Sequence, residues 1–173
     1  MDSQNKSNNS GFTLIELMMV LLMIAITLGI GVPSFQGFIQ DSRVAGLTNT
    51  FVSSLNYTRS EAVKRGAEVS LCKSSNGSSC ITSGHWDQGW IVFVDNSNFG
   101  TWDTGEEILR VQEKFDGNTT FQSTTGVGNA FTFLSSGRMT SGQSGEMLLC
   151  DAPEARQINI NTVGRIHLTE ATC

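Results

Sequence analysis

The pattern of apolar and polar positions divides the chain into segments of different character. Residues 1–11 (MDSQNKSNNSG) are polar, whereas residues 12–32 (FTLIELMMVLLMIAITLGIGV) are almost wholly apolar. An apolar run of this length is about what a helix needs to cross the hydrocarbon core of a bilayer. No small-residue cleavage site follows the run, as one would in a secretory signal peptide. We therefore expect residues 12–33 to be retained as a transmembrane helix.

An amphipathic pattern continues the helix beyond Pro33. Apolar side chains recur there at helical spacing, at Val44, Leu47, Phe51, Leu55 and Ala62. Gly66 supplies a C-terminal stop signal. The pattern predicts one helix from near Phe12 to near Arg65, with residues 34–66 packed on the remainder of the chain. Pro33 is expected to kink this helix, because proline removes a backbone hydrogen bond.

Residues 67–173 change to short apolar or alternating runs that glycine-rich turns separate. Such runs are typical of β-strands. We expect an α+β fold, in which the long N-terminal helix packs on an antiparallel β-sheet or on two small ones. The predicted strands are Glu68–Cys72, Gly89–Val94, Ile108–Lys114, Thr119–Gln122, Ala130–Leu134, Glu146–Cys150, Gln157–Asn161 and Arg165–Leu168.

Charge and cysteine content narrow the class of protein. The formal net charge is −5, which disfavours a large nucleic-acid surface. The four cysteines form no CxxC pair, so disulfides are favoured over a zinc site and we expect no metal. Proximity along the chain favours the pairs Cys72–Cys80 and Cys150–Cys173, although four cysteines allow three pairings.

No enzyme motif is present, so we expect neither catalytic activity nor a cofactor. His85 and His167 have no evident nucleophile beside them in sequence. Glu106 and Glu107 are adjacent, so on a strand they would point to opposite faces and could not act as an acid–base pair.

The acidic central loop partly matches a calcium-binding loop. Asp95, Ser97, Gly100 and Glu106 fall at positions one, three, six and twelve of an EF-hand-like loop. Phe99 occupies the fifth position, where an oxygen ligand is needed. A hairpin loop held by Asx turns is the better interpretation. The three tryptophans (Trp86, Trp90 and Trp102) are expected to be core or loop anchors.

Glu16 is the one carboxylate in the apolar run. Left unpaired in lipid, it would cost several kcal/mol. Glu16 could lie near the interface and reach water. Alternatively, if the chain is cut after Gly11, Glu16 could pair with the new amine of Phe12 on a neighbouring subunit.

The sequence G-F-T-L-I-E at Gly11–Glu16 resembles the type III signal of type IV pilins and pseudopilins. The resemblance implies that a prepilin peptidase removes residues 1–11 and N-methylates Phe12, and that Glu16 is the assembly glutamate. Pro33 falls where many pilins carry a helix-kinking proline.

The segment from Trp86 to Arg110 is similar to the GspH/FimT branch of this superfamily, which includes FimT- and FimU-type minor pilins. The resemblance implies a minor type IV pilin, held in the inner membrane with residues 67–173 in the periplasm. It would then prime or cap a pilus with other minor and major pilins and support twitching motility.

Two alternatives stay open within this branch. One is a GspH-like minor pseudopilin of a type II secretion system. The other is a FimT-like pilus receptor that binds DNA during natural transformation. For the second, Gly164-Arg165-Ile166-His167 resembles the G-R-x-R pattern of DNA-uptake members, with His167 in place of the second arginine.

Overall fold

The structure, a computed structural model, describes residues 11–97 and 99–173, with the backbone alone at residues 31–34 and 36. One helix, α1, spans Leu14–Arg65. Eight strands follow, with a short 3-10 turn (Trp86–Gln88) between the first two: β1 Val69–Lys73, β2 Trp90–Val94, β3 Ile108–Gln112, β4 Thr120–Thr125, β5 Ala130–Phe133, β6 Gly145–Asp151, β7 Glu154–Ile160 and β8 Ile166–Thr172.

The strands form two four-stranded antiparallel sheets. Sheet A has the order β3-β2-β1-β5, and sheet B has the order β4-β6-β7-β8. In sheet A, Leu71 lies between Val92 on one side and Phe131 on the other. The predicted α+β class is confirmed, and the second of its two predicted forms, with two small sheets, is the one found.

The helix ends at a left-handed glycine. Gly66 has φ +66°, which glycine adopts without steric cost. The amide of Ala67 donates to the carbonyl oxygen of Ala62 at 3.3 Å. This is the six-to-one hydrogen bond of a Schellman motif, which satisfies a carbonyl that the helix end would leave unpaired.

The second half of α1 buries a stripe that mixes apolar and small hydroxyl residues. Val44, Phe51, Leu55 and Ala62 are buried, as expected, and Thr48, Ser54 and Thr58 are buried among them. The Thr58 hydroxyl donates to the Ser54 carbonyl at 2.7 Å, and the Ser54 hydroxyl to the Thr50 carbonyl at 3.0 Å. For Ser54 and Thr58, these bonds satisfy the buried hydroxyl within the helix itself.

Phe51 lies at the centre of the core that α1 shares with both sheets. Its ring makes edge-on contacts with four aromatic rings, whose centroids lie 4.7–6.0 Å away. Three of these rings belong to strands of the two sheets: Phe121 on β4 of sheet B, and Trp90 on β2 and Phe131 on β5 of sheet A. The fourth is Trp86 in the 3-10 turn, and both tryptophans are fully buried. The expectation that these tryptophans are core anchors is confirmed.

Two ion pairs hold the start of the packed part of α1 on sheet B. Arg156 Nη2 lies 2.8 Å from Asp41 Oδ1, and Arg43 Nε lies 3.2 Å from Asp151 Oδ2. Asp41 raises the pKa of the Arg156 guanidinium above its ordinary value. Both pairs join residues more than a hundred positions apart, so no local sequence pattern could have indicated them.

The chain divides into two compact units, with the boundary between Ile39 and Gln40. The described part of the first unit consists of residues 11–13 and the helical residues 14–39. Within the part of the chain that the structure describes, we find no helix with both the length and the apolarity to span a membrane. The Pro33 side chain is not among those described, so the kink stays a prediction.

Candidate functional site: the N-terminal processing and assembly segment

The predicted cleavage bond lies in exposed chain just before the helix. Residues 11–13 are exposed and not helical, and α1 begins at Leu14. A Cβ atom added at Gly11 would meet no other atom within 4 Å. Among the described residues there is thus room for a side chain at Gly11.

Thr13 caps the helix, a role that the sequence analysis missed. The amide of Glu16 donates to Thr13 Oγ1 at 3.3 Å, and the amide of Leu17 donates to the Thr13 carbonyl at 3.2 Å. Thr13 is thus the N-cap, and Glu16 is the third helical residue. Thr-x-x-Glu is the sequence of a capping box, which was the signal available in T-L-I-E.

The carboxylate of Glu16 is exposed and lies in the first turn of α1. Among the described residues, no Lys, Arg or His side chain lies within ion-pair distance of it. The positive end of the helix dipole favours a carboxylate at this position, by about 0.3–1 kcal/mol at an exposed site. Glu16 is therefore compatible with its helix end and still available to a cation from another molecule.

The helix surface around Glu16 is apolar and uncovered. Every Phe, Leu, Ile, Met and Val from residue 12 to residue 30 is exposed, from 47% at Ile24 to 80% at Phe12. Soluble monomers rarely expose contiguous apolar patches larger than a few hundred Å². The described part of this segment therefore presents an apolar surface that no other described residue covers.

The second candidate site, at Arg165 and His167, lies at one end of sheet B. A tight turn leads into β8, where Gly164 has φ +77° and its amide donates to the Asn161 carbonyl at 2.9 Å. Arg165 and His167 line one groove of about 510 Å³ together with Glu146. The two predicted residues are thus brought together, but the third charged side chain of the groove is a carboxylate.

The acidic central loop uses its carboxylates to hold its own backbone. Asp95, which is buried, accepts hydrogen bonds at 2.6 Å from the Ser70 hydroxyl and from the Gly100 amide. Glu106 accepts from the amides of Asn96 and Asp103 at 2.7 and 2.9 Å. In the described ranges, no three His, Cys, Asp or Glu side chains are grouped so that they could hold a metal ion.

The cysteines form the two predicted disulfides. Cys72 pairs with Cys80 across a Cα–Cα distance of 5.7 Å, and Cys150 with Cys173 across 5.6 Å. The first bond pins a Ser/Asn/Gly loop to β1. The second ties the C-terminal residue, just beyond β8, to β6 in the same sheet.

The N-terminal segment and the fold define a class of protein. Residues 6–32 match the prokaryotic N-terminal methylation motif, the signal of subunits that a prepilin peptidase processes and that assemble into filaments with other pilins. Residues 47–164, more than half of the chain, match the family described as type II transport protein GspH. The chain belongs to the GspH family of type IV minor pilins and pseudopilins, whose members are structural subunits.

The sequence similarity to a curated relative covers only part of either chain. Prepilin peptidase-dependent protein D of Escherichia coli (strain K12) is 36% identical over 67 residues, which are 39% of this chain and 46% of the relative. The chain thus spans about half the length of this curated relative.

The fold is also that of a known minor pilin. The type IV minor pilin FimU of Pseudomonas aeruginosa, in two crystal forms, aligns with TM-scores of 0.51 and 0.57 at 21% and 20% identity. The alignments cover 70% and 76% of this chain and 88% and 92% of FimU. At this identity the likeness concerns the fold alone.

Proposed function

We propose that this chain is a minor type IV pilin that primes or caps pilus assembly. A prepilin peptidase would cleave between Gly11 and Phe12 and methylate the new N-terminus. The observation that carries the proposal is the exposed apolar surface of residues 12–30, which contains one carboxylate, Glu16, next to the predicted cleavage bond. That surface needs a partner, and the methylation motif at residues 6–32 supports a pilin helix as the partner.

Before assembly, the apolar segment would hold the precursor in the inner membrane, with the β-rich domain in the periplasm. This step rests on the sequence pattern of residues 12–32, whose length suits a bilayer. Cleavage would remove the polar residues 1–11 and free the segment for extraction into a filament.

Within the filament, apolar packing and charge would have different tasks. Lipid is as apolar as the interior of a helix bundle, so packing of the segment would be stabilised by van der Waals contacts between helices and not by removal of apolar surface from water. A buried ion pair adds little net energy but opposes misaligned packing, because an unpaired buried charge is costly. The Phe12 amine of one subunit and Glu16 of its neighbour would therefore set the register between helices.

Specific observations also support two alternative functions, a secretion pseudopilin and a DNA receptor. The GspH family match at residues 47–164 favours a minor pseudopilin of a type II secretion system equally well. Arg165 and His167 line one groove, which supports the pilus DNA receptor. Glu146 in the same groove would repel phosphate, and the net charge of −5 would weaken long-range attraction.

Deletion of the gene, scored in parallel for surface pili, twitching, type II secretion and DNA uptake, separates these functions. Loss of pili and twitching with intact secretion is expected. Loss of secretion with normal pili would assign the chain to a secretion pseudopilus. Loss of DNA uptake alone, with pili still made, would assign it to the DNA receptor.

A further inference from the structure

A groove runs between α1 and β8, on the face of sheet B that carries the core. Its volume is about 590 Å³, and its apolar wall is formed by Val52 on α1, by Val163 in the turn before β8, and by Ile166 and Leu168 on β8. Val163 and Leu168 are 43% and 39% exposed, which is high for side chains beside a core. The register places Leu168 opposite buried Ile158, so the Leu168 side chain lies on the core face of the sheet.

β8 is an edge strand whose outer main-chain groups are unpaired within sheet B. The Asn161 amide donates to the Arg165 carbonyl at 3.0 Å, which fixes the hydrogen-bonded positions of the β7–β8 ladder. Such positions alternate along an antiparallel pair. The N–H and C=O groups that point away from β7 are therefore those of Ile166, Leu168 and Glu170.

This edge lacks most of the features that usually prevent a strand from pairing with another chain. Exposed edges are commonly protected by lysine, proline, a bulge or a short length. β8 has seven residues, contains neither Lys nor Pro, and pairs with β7 without a register shift; its one acidic residue, Glu170, is ion-paired with Arg156 of β7.

Two arginines at the groove have no acidic partner among the described residues. Arg59 and Arg165 line it, and no carboxylate of a described residue lies within ion-pair distance of either. By contrast, Arg43, Arg65 and Arg156 are ion-paired. The groove thus offers a positive charge at two points along an apolar wall, within an acidic chain.

We propose that this groove binds an extended segment of a neighbouring filament subunit, which adds to sheet B as a strand beside β8. Main-chain hydrogen bonds to Ile166, Leu168 and Glu170 would give affinity, as in other cases of strand addition. Apolar side chains at alternate positions would fill the groove, and carboxylates of the segment would pair with Arg59 and Arg165. The inference rests on the proposed function, because it takes the partner to be a filament subunit.

The apolar wall argues against nucleic acid as the occupant. Phosphate backbones are bound by several cations along a polar surface, and each contact contributes to the salt dependence. Two arginines beside Val52, Val163 and Leu168 suit an amphipathic strand better.

The test is photo-crosslinking of the full chain in cells that make the filaments. A benzophenone amino acid replaces Leu168, and a control places it at Thr124 on β4, the opposite edge of the same sheet. After irradiation, sheared filaments are analysed and the crosslinked peptide is mapped by mass spectrometry. The expected result is an adduct from position 168 to a carboxylate-bearing, extended segment of another pilin-type subunit, with none from position 124.

Charge dependence gives the second measurement. Replacing both groove arginines (Arg59→Gln with Arg165→Gln) should lower the yield of the adduct about fivefold, as expected for the loss of two exposed ion pairs. The matched control, Arg138→Gln, changes an arginine that does not line the groove and should leave the yield unchanged.

The outcomes separate this inference from the proposed function. If the chain is found in filaments but position 168 gives no adduct, or an adduct that is insensitive to the arginines, strand addition at β8 is wrong and the pilin function stands. An adduct to DNA would overturn it in favour of a nucleic-acid surface. If the unsubstituted chain is absent from filaments, the proposed function itself fails.

Discussion

Phe51 is the side chain through which α1 contacts both sheets, so its removal is expected to damage the fold more than any change on the exposed helix surface. It is 0% exposed, and its ring lies between aromatic residues of sheet A and of sheet B. A Phe51→Ala substitution leaves a cavity that neither rigid sheet can fill by moving. Phe→Ala changes in protein cores cost about 3–5 kcal/mol.

The upper half of that range is expected here. Four aromatic partners lie within 6.0 Å of the Phe51 ring, and each such pair contributes about 0.5–1.5 kcal/mol beyond its buried area. A loss of about 4 kcal/mol is a large fraction of the 5–15 kcal/mol by which typical domains are stable. With a urea m-value of about 2 kcal/mol/M, the midpoint should fall by about 2 M.

The assay is equilibrium urea unfolding of the full chain in mild detergent, followed by tryptophan fluorescence. Trp86 and Trp90 contact Phe51 directly and report on the same region. Phe38→Ala is the matched control, because Phe38 is 69% exposed on the same helix and should change the free energy of unfolding by less than about 0.5 kcal/mol. If the free energy of unfolding of Phe51→Ala lies within about 1 kcal/mol of the parent value, the packing argument is refuted.

Three further predictions concern charge and covalent links. Glu16→Ala should permit cleavage after Gly11 yet impair incorporation into filaments, as measured by immunoblotting of sheared filaments; unchanged incorporation would exclude the pairing mechanism. The hydrogen bond from Arg65 holds the pKa of the Glu61 carboxyl below its ordinary value of 4.5. The ionised Glu61 carboxylate therefore stabilises the fold above that pH. This stabilisation is lost as the pH falls through the lowered pKa of the folded state. Urea unfolding across this range should show a shallower acid loss for Glu61→Gln than for the parent, and equal slopes would contradict the linkage. The Cys150–Cys173 bond closes a separation of 23 residues and Cys72–Cys80 one of 8, so Cys→Ala replacement of the first pair should cost about 1 kcal/mol more than replacement of the second. Denaturant midpoints of the two double variants test that order, and a larger loss from the shorter loop would contradict the loop-entropy reasoning.

The helix and the strands could be predicted from short sequence patterns, because the interactions that start and end them lie within a few residues. Gly66 stops α1 since only glycine adopts its left-handed conformation freely, and all eight strands lie where apolar runs alternate with turns. β8 extends to Thr172, four residues beyond the predicted end at Leu168. Its last residues, T-E-A-T, carry no apolar signal and are held by pairing with β7 and by the adjacent Cys150–Cys173 bond.

Contacts between distant segments could not be predicted in this way. β1 pairs with β5, and β4 pairs with β6, so strand order depends on which faces pack against α1. The buried Asp95–Ser70–Thr132 chain of hydrogen bonds, 2.6 and 2.7 Å long, joins three segments that have no shared motif. The groove beside β8 likewise forms only after α1 and β8 have packed side by side.

At the N-terminus the sequence predicted the residues, and the structure added their local geometry. Gly11, Phe12 and Glu16 were singled out by the G-F-T-L-I-E motif. The capping bond from the Glu16 amide to Thr13 appears only with the coordinates, since the same carboxylate suits both a capping box and an intersubunit pair.

The most direct test of the account is the intact mass of this chain in purified filaments, both pili and type II secretion pseudopili. We expect the chain to be present as residues 12–173 with one methyl group on the amine of Phe12, whereas Gly11→Val should leave unprocessed precursor in the membrane fraction. A chain that carries residues 1–11 in the filament, or that is absent from both kinds of filament, would contradict the claim that it is a processed filament subunit.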